Sequence, residues 1–268
     1  MGDFFGFDHY ENVRHGVAYG WEHLLFVSIF AVIAIGLAIF LGLYYRKRPF
    51  PEKNKVIIMS AITIDTIEIF KIVFLCIREK DPLYFLHTLP LHFCSIFLIA
   101  IPLAAFSRGR LKEASLDFIA MFGILGAAAG TYGAANLYSQ RPVFCFENLI
   151  SATTHWISGF VSLYIIISNM MTLKLKNTWI VASILATFFG LALIADYTIP
   201  PDGIKITNYM YLRSADGTPY KMFYAMVKGN LVLYPVVVFI LFALYASIFY
   251  GGYYLVLHII KKRKQNND

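Results

Sequence analysis

Charge is what this chain has least of. Asp, Glu, Lys and Arg make up only 15% of its 268 residues, against about 25% in an average globular domain. Apolar residues make up 59%, and the mean hydropathy is +0.64. That balance excludes a disordered chain and a soluble enzyme. Cysteine is scarce too. Cys76, Cys94 and Cys145 are the full set, too few for a disulfide scaffold, although Cys76 and Cys145 both fall where an outer-face bridge is conceivable. No repeat, low-complexity tract or soluble domain is visible. The first twenty residues lack a basic stretch followed by an apolar core, so no cleaved leader is expected. No cofactor motif or metal-ligand spacing stands out, so neither a cofactor nor a metal is expected.

What is present is apolar length. Seven segments can be read: Trp21–Tyr45, Val56–Ile77, Tyr84–Phe106, Ala114–Ala135, Leu149–Met171, Thr178–Ile199 and Met222–Ile260. A span needs about 20 apolar residues. Helices are required, because lipid leaves the edge groups of an open strand unsatisfied. The expected fold is all-α: one multi-pass domain over residues 1–268 with seven transmembrane helices, placed in the cell membrane.

The few charges orient it. Fourteen of the 23 Lys and Arg follow the odd-numbered spans, at residues 46–55, 108–112, 174–176 and 261–264. Seven fall on the other side. The positive-inside rule then sets the N-terminus outside and the C-terminus in the cytoplasm. The net charge of +7 therefore needs no nucleic-acid partner. The loop Pro200–Lys221 is expected on the outer side.

Ionisable groups within spans are functional candidates by default. Asp65, Glu68 and Lys71 recur every three residues, along one helical arc of about 120°. Glu68 and Lys71 read either as a self-neutralising pair or as substrate-facing groups. Asp117 and Asp196 lie near span ends and read as interfacial. Gly123, Gly126, Gly130 and Gly133 give the fourth span a small face suited to close helix packing.

The third span opens Leu86-His87-Thr88-Leu89-Pro90-Leu91-His92-Phe93-Cys94-Ser95. Cys94 is either a small buried hydrophobe or a nucleophilic thiol with a histidine base. On a regular helix His92 and Cys94 point about 160° apart, so His92 reaches the thiol only if Pro90 distorts the helix. His155 lies roughly 9 Å down the inward-running fifth span, and Cys94 roughly 10–15 Å down the third. The two can meet in the outer half of the bilayer. Lys71, Lys228 and Asn230 fall in the same layer, with Trp21 and His23 at its outer edge. Together they outline an outward-opening polar cavity near the level of phospholipid esters.

Through Leu89-Pro90-Leu91-His92-Phe93-Cys94, His155 and Asn208-Tyr209-Met210-Tyr211-Leu212, the chain resembles the YwaF family of bacterial membrane proteins over about residues 20–260. That family is similar to the transmembrane protein 164 family, associated with acyl transfer to ether phospholipids. The resemblance implies a membrane acyltransferase or transacylase. Cys94 would accept the acyl group, and His155 or His92 would act as base. Glu68, Lys71, Asn208, Tyr209, Lys228 and Asn230 are the candidate substrate-binding residues. The partner would be a membrane phospholipid or lysophospholipid. Two non-enzymatic readings stand beside it. One is a seven-helix receptor or photoreceptor with Lys228 as the retinal lysine. The other is a transporter using Asp65, Glu68 and Lys71.

Overall fold

The computed structural model describes residues 2–10, 13–199, 207–215 and 220–265; the remainder of the Pro200–Lys221 loop lies outside them. All regular structure among these residues is helical. The helices are α1 (Gly2–Phe5), α2 (Trp21–Tyr45), α3 (Phe50–Glu79), α4 (Phe97–Phe106), α5 (Gly109–Thr131), α6 (Ala135–Tyr138), α7 (Phe146–Ile167), α8 (Thr178–Thr198), α9 (Lys221–Met226) and α10 (Leu233–Gln265). Five stretches are long and apolar enough to cross a membrane: Trp21–Tyr45, Gly109–Thr131, Phe146–Ile167, Leu175–Thr198 and Leu233–Ile259.

The other two expected spans differ for identifiable reasons. Helix α3 is 30 residues long, but its interior charges Lys53, Asp65, Glu68 and Lys71 lower its hydropathy. Pro51 lies in its first turn, where the fixed φ of proline is suited. It ends at Lys80 in a left-handed conformation, φ 55°. The third span is no continuous helix. A 3-10 turn covers Pro82–His87, irregular chain follows, and a second 3-10 turn over Phe93–Ile96 leads into α4. Pro90 explains the break. It lacks an N–H and drives Leu89 away from helical angles.

Helix α5 is the centre of the bundle. It is buried continuously from Ala114 to Gly123 and packs against α4, α7 and α8. Its small face works as the composition predicts. A Cβ on Gly123 would come within 2.8 Å of the Ser158 carbonyl and 2.7 Å of the Ser162 Cβ, so only glycine lets α7 approach this closely. The approach brings the Ser162 hydroxyl to donate to the Ala120 carbonyl at 3.0 Å. Beside it an aromatic core forms. Phe93 stacks on Phe242 at 4.3 Å and meets Phe122 edge-on at 5.7 Å, which pins the turn carrying Cys94.

The basic loops gather at one end of the bundle. Asn54 and Lys112 both donate to the Ala105 carbonyl, at 3.0 and 2.9 Å. Lys174 pairs with Glu113 at 2.5 Å, and the Tyr254 hydroxyl donates to the Leu173 carbonyl at 2.9 Å. Lys53 is buried and donates to the Ser168 carbonyl at 2.6 Å, placing a cation at the C-terminal end of α7. At the opposite end Arg78 pairs with Glu147 at 3.2 Å and donates to the Phe5 carbonyl. Glu147 also pairs with Arg141 there.

Several expectations are corrected. Asp117 and Asp196 are fully buried rather than interfacial. Each holds a loop: Asp117 accepts from the Thr172 N–H and hydroxyl at 2.8 and 3.0 Å, and Asp196 accepts from the Tyr209 N–H at 2.7 Å. Cys76 and Cys145 are free thiols. The seventh helix begins at Leu233, not Met222. A turn at 227–232 separates it from α9, and Lys228 sits exposed in that turn with φ 52°.

The irregular stretch before Cys94 needs hydrogen-bond partners, because a broken helix inside a membrane protein leaves peptide groups that lipid cannot satisfy. Tyr209 supplies them. Its hydroxyl donates to the Leu86 carbonyl at 2.6 Å and accepts from the Leu89 N–H at 3.1 Å. Burial pushes the Tyr209 phenol up to about 12, so it stays a donor at neutral pH. Asn208 shapes the turn that presents it, accepting from the Arg213 and Ser214 N–H groups at 3.0 and 3.3 Å. Tyr209→Phe leaves a part-buried carbonyl and N–H unpaired. It should cost about 1–3 kcal/mol, seen as a lowered melting temperature and as faster amide exchange at Leu89. Lys53→Met should cost a similar amount by orphaning the Ser168 carbonyl, again read from the melting temperature. An unchanged melting temperature in either variant would contradict these assignments.

Candidate functional site

The broken third segment, α3, α5 and α7 converge on one cluster. Cys94 lies on the 3-10 turn Phe93–Ile96, partly buried. His155 lies on α7, and its imidazole and the Cys94 thiol are near enough to interact directly. The two residues that helical rise sets at one depth are therefore neighbours in the structure. The His155 Nδ1 lies 2.6 Å from the Ser151 carbonyl, one turn earlier on α7. A carbonyl only accepts, so Nδ1 carries the proton and Nε2 is left with a lone pair. Nε2 is buried without a hydrogen-bond partner of ideal geometry, and the thiol is the group beside the ring.

Room for that ring comes from α5. A Cβ on Gly130 would overlap the His155 imidazole at Cδ2 and Nε2. Gly130 is thus the seat of the histidine. The glycine run marked a packing face in the sequence, and nothing in it distinguished Gly130 from its neighbours. Ser151 is equally inconspicuous in the sequence. Its signal was its position four residues before His155, where a helical carbonyl can meet a side chain.

Lys71 lies near Cys94, His92 and His155 alike. Its ammonium pairs with the buried Glu68 at 2.5 Å. The self-neutralising pair is therefore present, and Lys71 also lies on the side of the thiol. Asp65 is half-buried on the same helix.

His92 has extended backbone, φ −77° and ψ 155°, so the regular-helix argument that set it opposite Cys94 does not apply. Its ring lies 5.3 Å from the Tyr209 ring and 5.7 Å from the Tyr211 ring. Burial, then the nearby Cys94 sulfur, pushes the Tyr211 phenol up. Tyr211 therefore borders the thiol as well.

Four expected contact residues stand elsewhere or are otherwise engaged. Tyr209 and Asn208 hold backbone, as described above. Asn230 is exposed and caps α10, accepting from the Val232 and Leu233 N–H groups at 2.9 and 3.0 Å. Lys228 is exposed in the preceding turn. Of the outer-edge residues, Trp21 is exposed. His23 is fully buried, stacked on Tyr138 at 4.0 Å and bonded to the Thr131 carbonyl at 3.1 Å. It is a helix-packing histidine.

The cluster is a thiol beside an imidazole oriented by a backbone carbonyl, with the Lys71 amine near both. Those are the parts of a nucleophile, its base and a stabiliser of negative charge. No curated protein and no solved structure matches the chain. The profile of the TMEM164 family matches residues 18–249, nearly the whole length. The chain is a multi-pass membrane protein belonging to the TMEM164 family.

Proposed function

We propose that this protein is an acyltransferase that moves a fatty acyl group between membrane phospholipids through a thioester on Cys94. The observation that carries the reading is the pairing of Cys94 with a His155 whose Nδ1 is tied to the Ser151 carbonyl. A cysteine that only fills space has no need of an imidazole with a fixed tautomer.

The residues divide the work as follows. His155 Nε2 takes the thiol proton, and the thiolate attacks the carbonyl carbon of a phospholipid ester. The carbonyl oxygen becomes an oxyanion, which the Lys71 ammonium faces. Collapse breaks the ester C–O bond. The leaving lysophospholipid alkoxide takes the proton back from His155, and the acyl group remains on sulfur. In the second half, His155 deprotonates the hydroxyl of an acceptor lysophospholipid. Its oxygen attacks the thioester, and the thiolate leaves and is reprotonated by His155. Water in place of the acceptor gives hydrolysis by the same steps. Glu68, paired with Lys71 at 2.5 Å, holds the amine in position. His92 packs against the Tyr209 and Tyr211 rings and is not the base.

In this reading the chain crosses the membrane seven times. Helix α3 makes the second crossing in spite of its charges, and the broken segment with α4 makes the third. The basic end faces the cytoplasm. A retinal photoreceptor loses its support, since Lys228 lies in an exposed turn rather than midway along a helix.

Acyl transfer from a labelled phospholipid to a lysophospholipid by the purified protein should vanish in Cys94→Ala. It should fall by about 10²–10⁴ in His155→Ala, and by much less in His92→Ala. Gly130→Ala should lose about as much as His155→Ala while the protein stays folded, because the added methyl displaces the ring. Lys71→Met should lose about 10²-fold. Full activity in Cys94→Ala would refute the mechanism, and a larger loss in His92→Ala than in His155→Ala would reassign the base.

A further inference from the structure

A groove of about 600 Å³ runs between α2 and α3, with α7 as its floor. It lies on a different face of α7 from His155. Its walls are apolar: Ile33, Leu37 and Leu41 from α2, Val56 and Met59 from α3. Its polar groups stand towards its two ends, apart from Ser60, whose hydroxyl is spent on the Val56 carbonyl. Tyr45 and Lys55 mark the end at the basic side of the bundle, and Thr63 and Thr153 mark the other. Along α2 the lining extends from Phe30 to Tyr45, about 22 Å at the helical rise. Half of a bilayer's hydrocarbon core is about 15 Å. A chain lying in the groove with its head at Lys55 would therefore reach past the midplane.

The basic end carries cations that are unpaired among the described residues. Lys55, Arg46 and Lys47 make no ion pair or hydrogen bond through their side chains among the described residues. Their neighbours differ. Lys53 holds the Ser168 carbonyl, Arg48 pairs with Glu52 at 4.0 Å, and Lys112 holds the Ala105 carbonyl. An apolar slot of acyl-chain length with a free ammonium at one end, beside two more free cations, complements one kind of molecule. It suits an amphiphile with a negative head and a long apolar tail. Volume and lining also fall in the range of built ligand sites.

We propose that this groove binds one anionic phospholipid, drawn from the leaflet at the basic end of the bundle. Its head group sits on Lys55, and one acyl chain lies between α2 and α3 over α7. The site needs neither Cys94 nor His155, so it stands or falls independently of the acyl-transfer reading.

The test uses the full chain in detergent, mixed with palmitoyl-oleoyl phosphatidylglycerol and phosphatidylcholine in equal amounts and observed by native mass spectrometry. The same chains on both lipids isolate the head group. One phosphatidylglycerol should be retained in preference to phosphatidylcholine. Lys55→Gln should cut that preference about fivefold, the factor one basic residue contributes beside anionic lipid. Leu37→Trp combined with Met59→Trp should abolish retention, because both side chains stand exposed on the groove walls. In the unaltered protein, phosphatidylglycerol with a photoactivatable acyl chain should label α2 and α3 rather than the exposed Leu244–Ile248 face of α10. Equal retention of the two lipids, or equal labelling of α10, would overturn the proposal.

Discussion

Two hydrogen bonds from the Tyr209 hydroxyl, to the Leu86 carbonyl and from the Leu89 N–H, make the rest of this architecture possible. Pro90 prevents the third segment from running as a helix. Unpaired peptide groups in that setting are too costly to persist. The brace comes from residues over a hundred positions later in the chain, and it is itself anchored by Asp196 and Asn208. With the break stabilised, Cys94 can sit on a short turn at the head of α4 instead of inside a regular helix. Phe93, held in the aromatic core, fixes the rotation of that turn.

The second constraint is steric. His155 needs space, and α5 provides it by lacking a side chain at Gly130. Close packing elsewhere on the α5–α7 seam, at Gly123, brings the helices near enough for the histidine to matter. The imidazole is oriented by a backbone carbonyl, where many catalytic histidines use a carboxylate. A carbonyl fixes the tautomer without adding a negative charge beside a thiolate. The carboxylate tied to the site among the described residues is Glu68, and it is committed to Lys71. The charges within the membrane are thus sorted by task, which is why a chain so poor in charge retains these.

Much of this was legible in the sequence. The apolar runs marked the long helices, and the basic loops do share one end of the bundle. Helical rise sets Cys94 and His155 at one depth and the structure brings them together, although only the count to His155 runs along a continuous helix; the count to Cys94 crosses 3-10 turns and irregular chain. Counting failed where a helix was assumed continuous. Lys228 and Asn230 were measured from Met222, but the helix starts at Leu233, and the turn between exposes both residues. The conformation at His92 was illegible, since it depends on a brace distant in sequence. Asp117 and Asp196 looked accessible because nothing local reveals that loop backbones fold over them. Gly130 and Ser151 carry no distinguishing signal of their own; their roles exist only against the His155 ring.

The central claim is that Cys94 carries the acyl group. Intact-protein mass spectrometry after brief exposure to phospholipid, with acceptor withheld, tests it most directly. The account predicts a mass increase of one acyl group on Cys94, removed by hydroxylamine as a thioester should be, and absent in Cys94→Ala. Transfer that proceeds with no adduct on Cys94, or an adduct that survives Cys94→Ala, would contradict it.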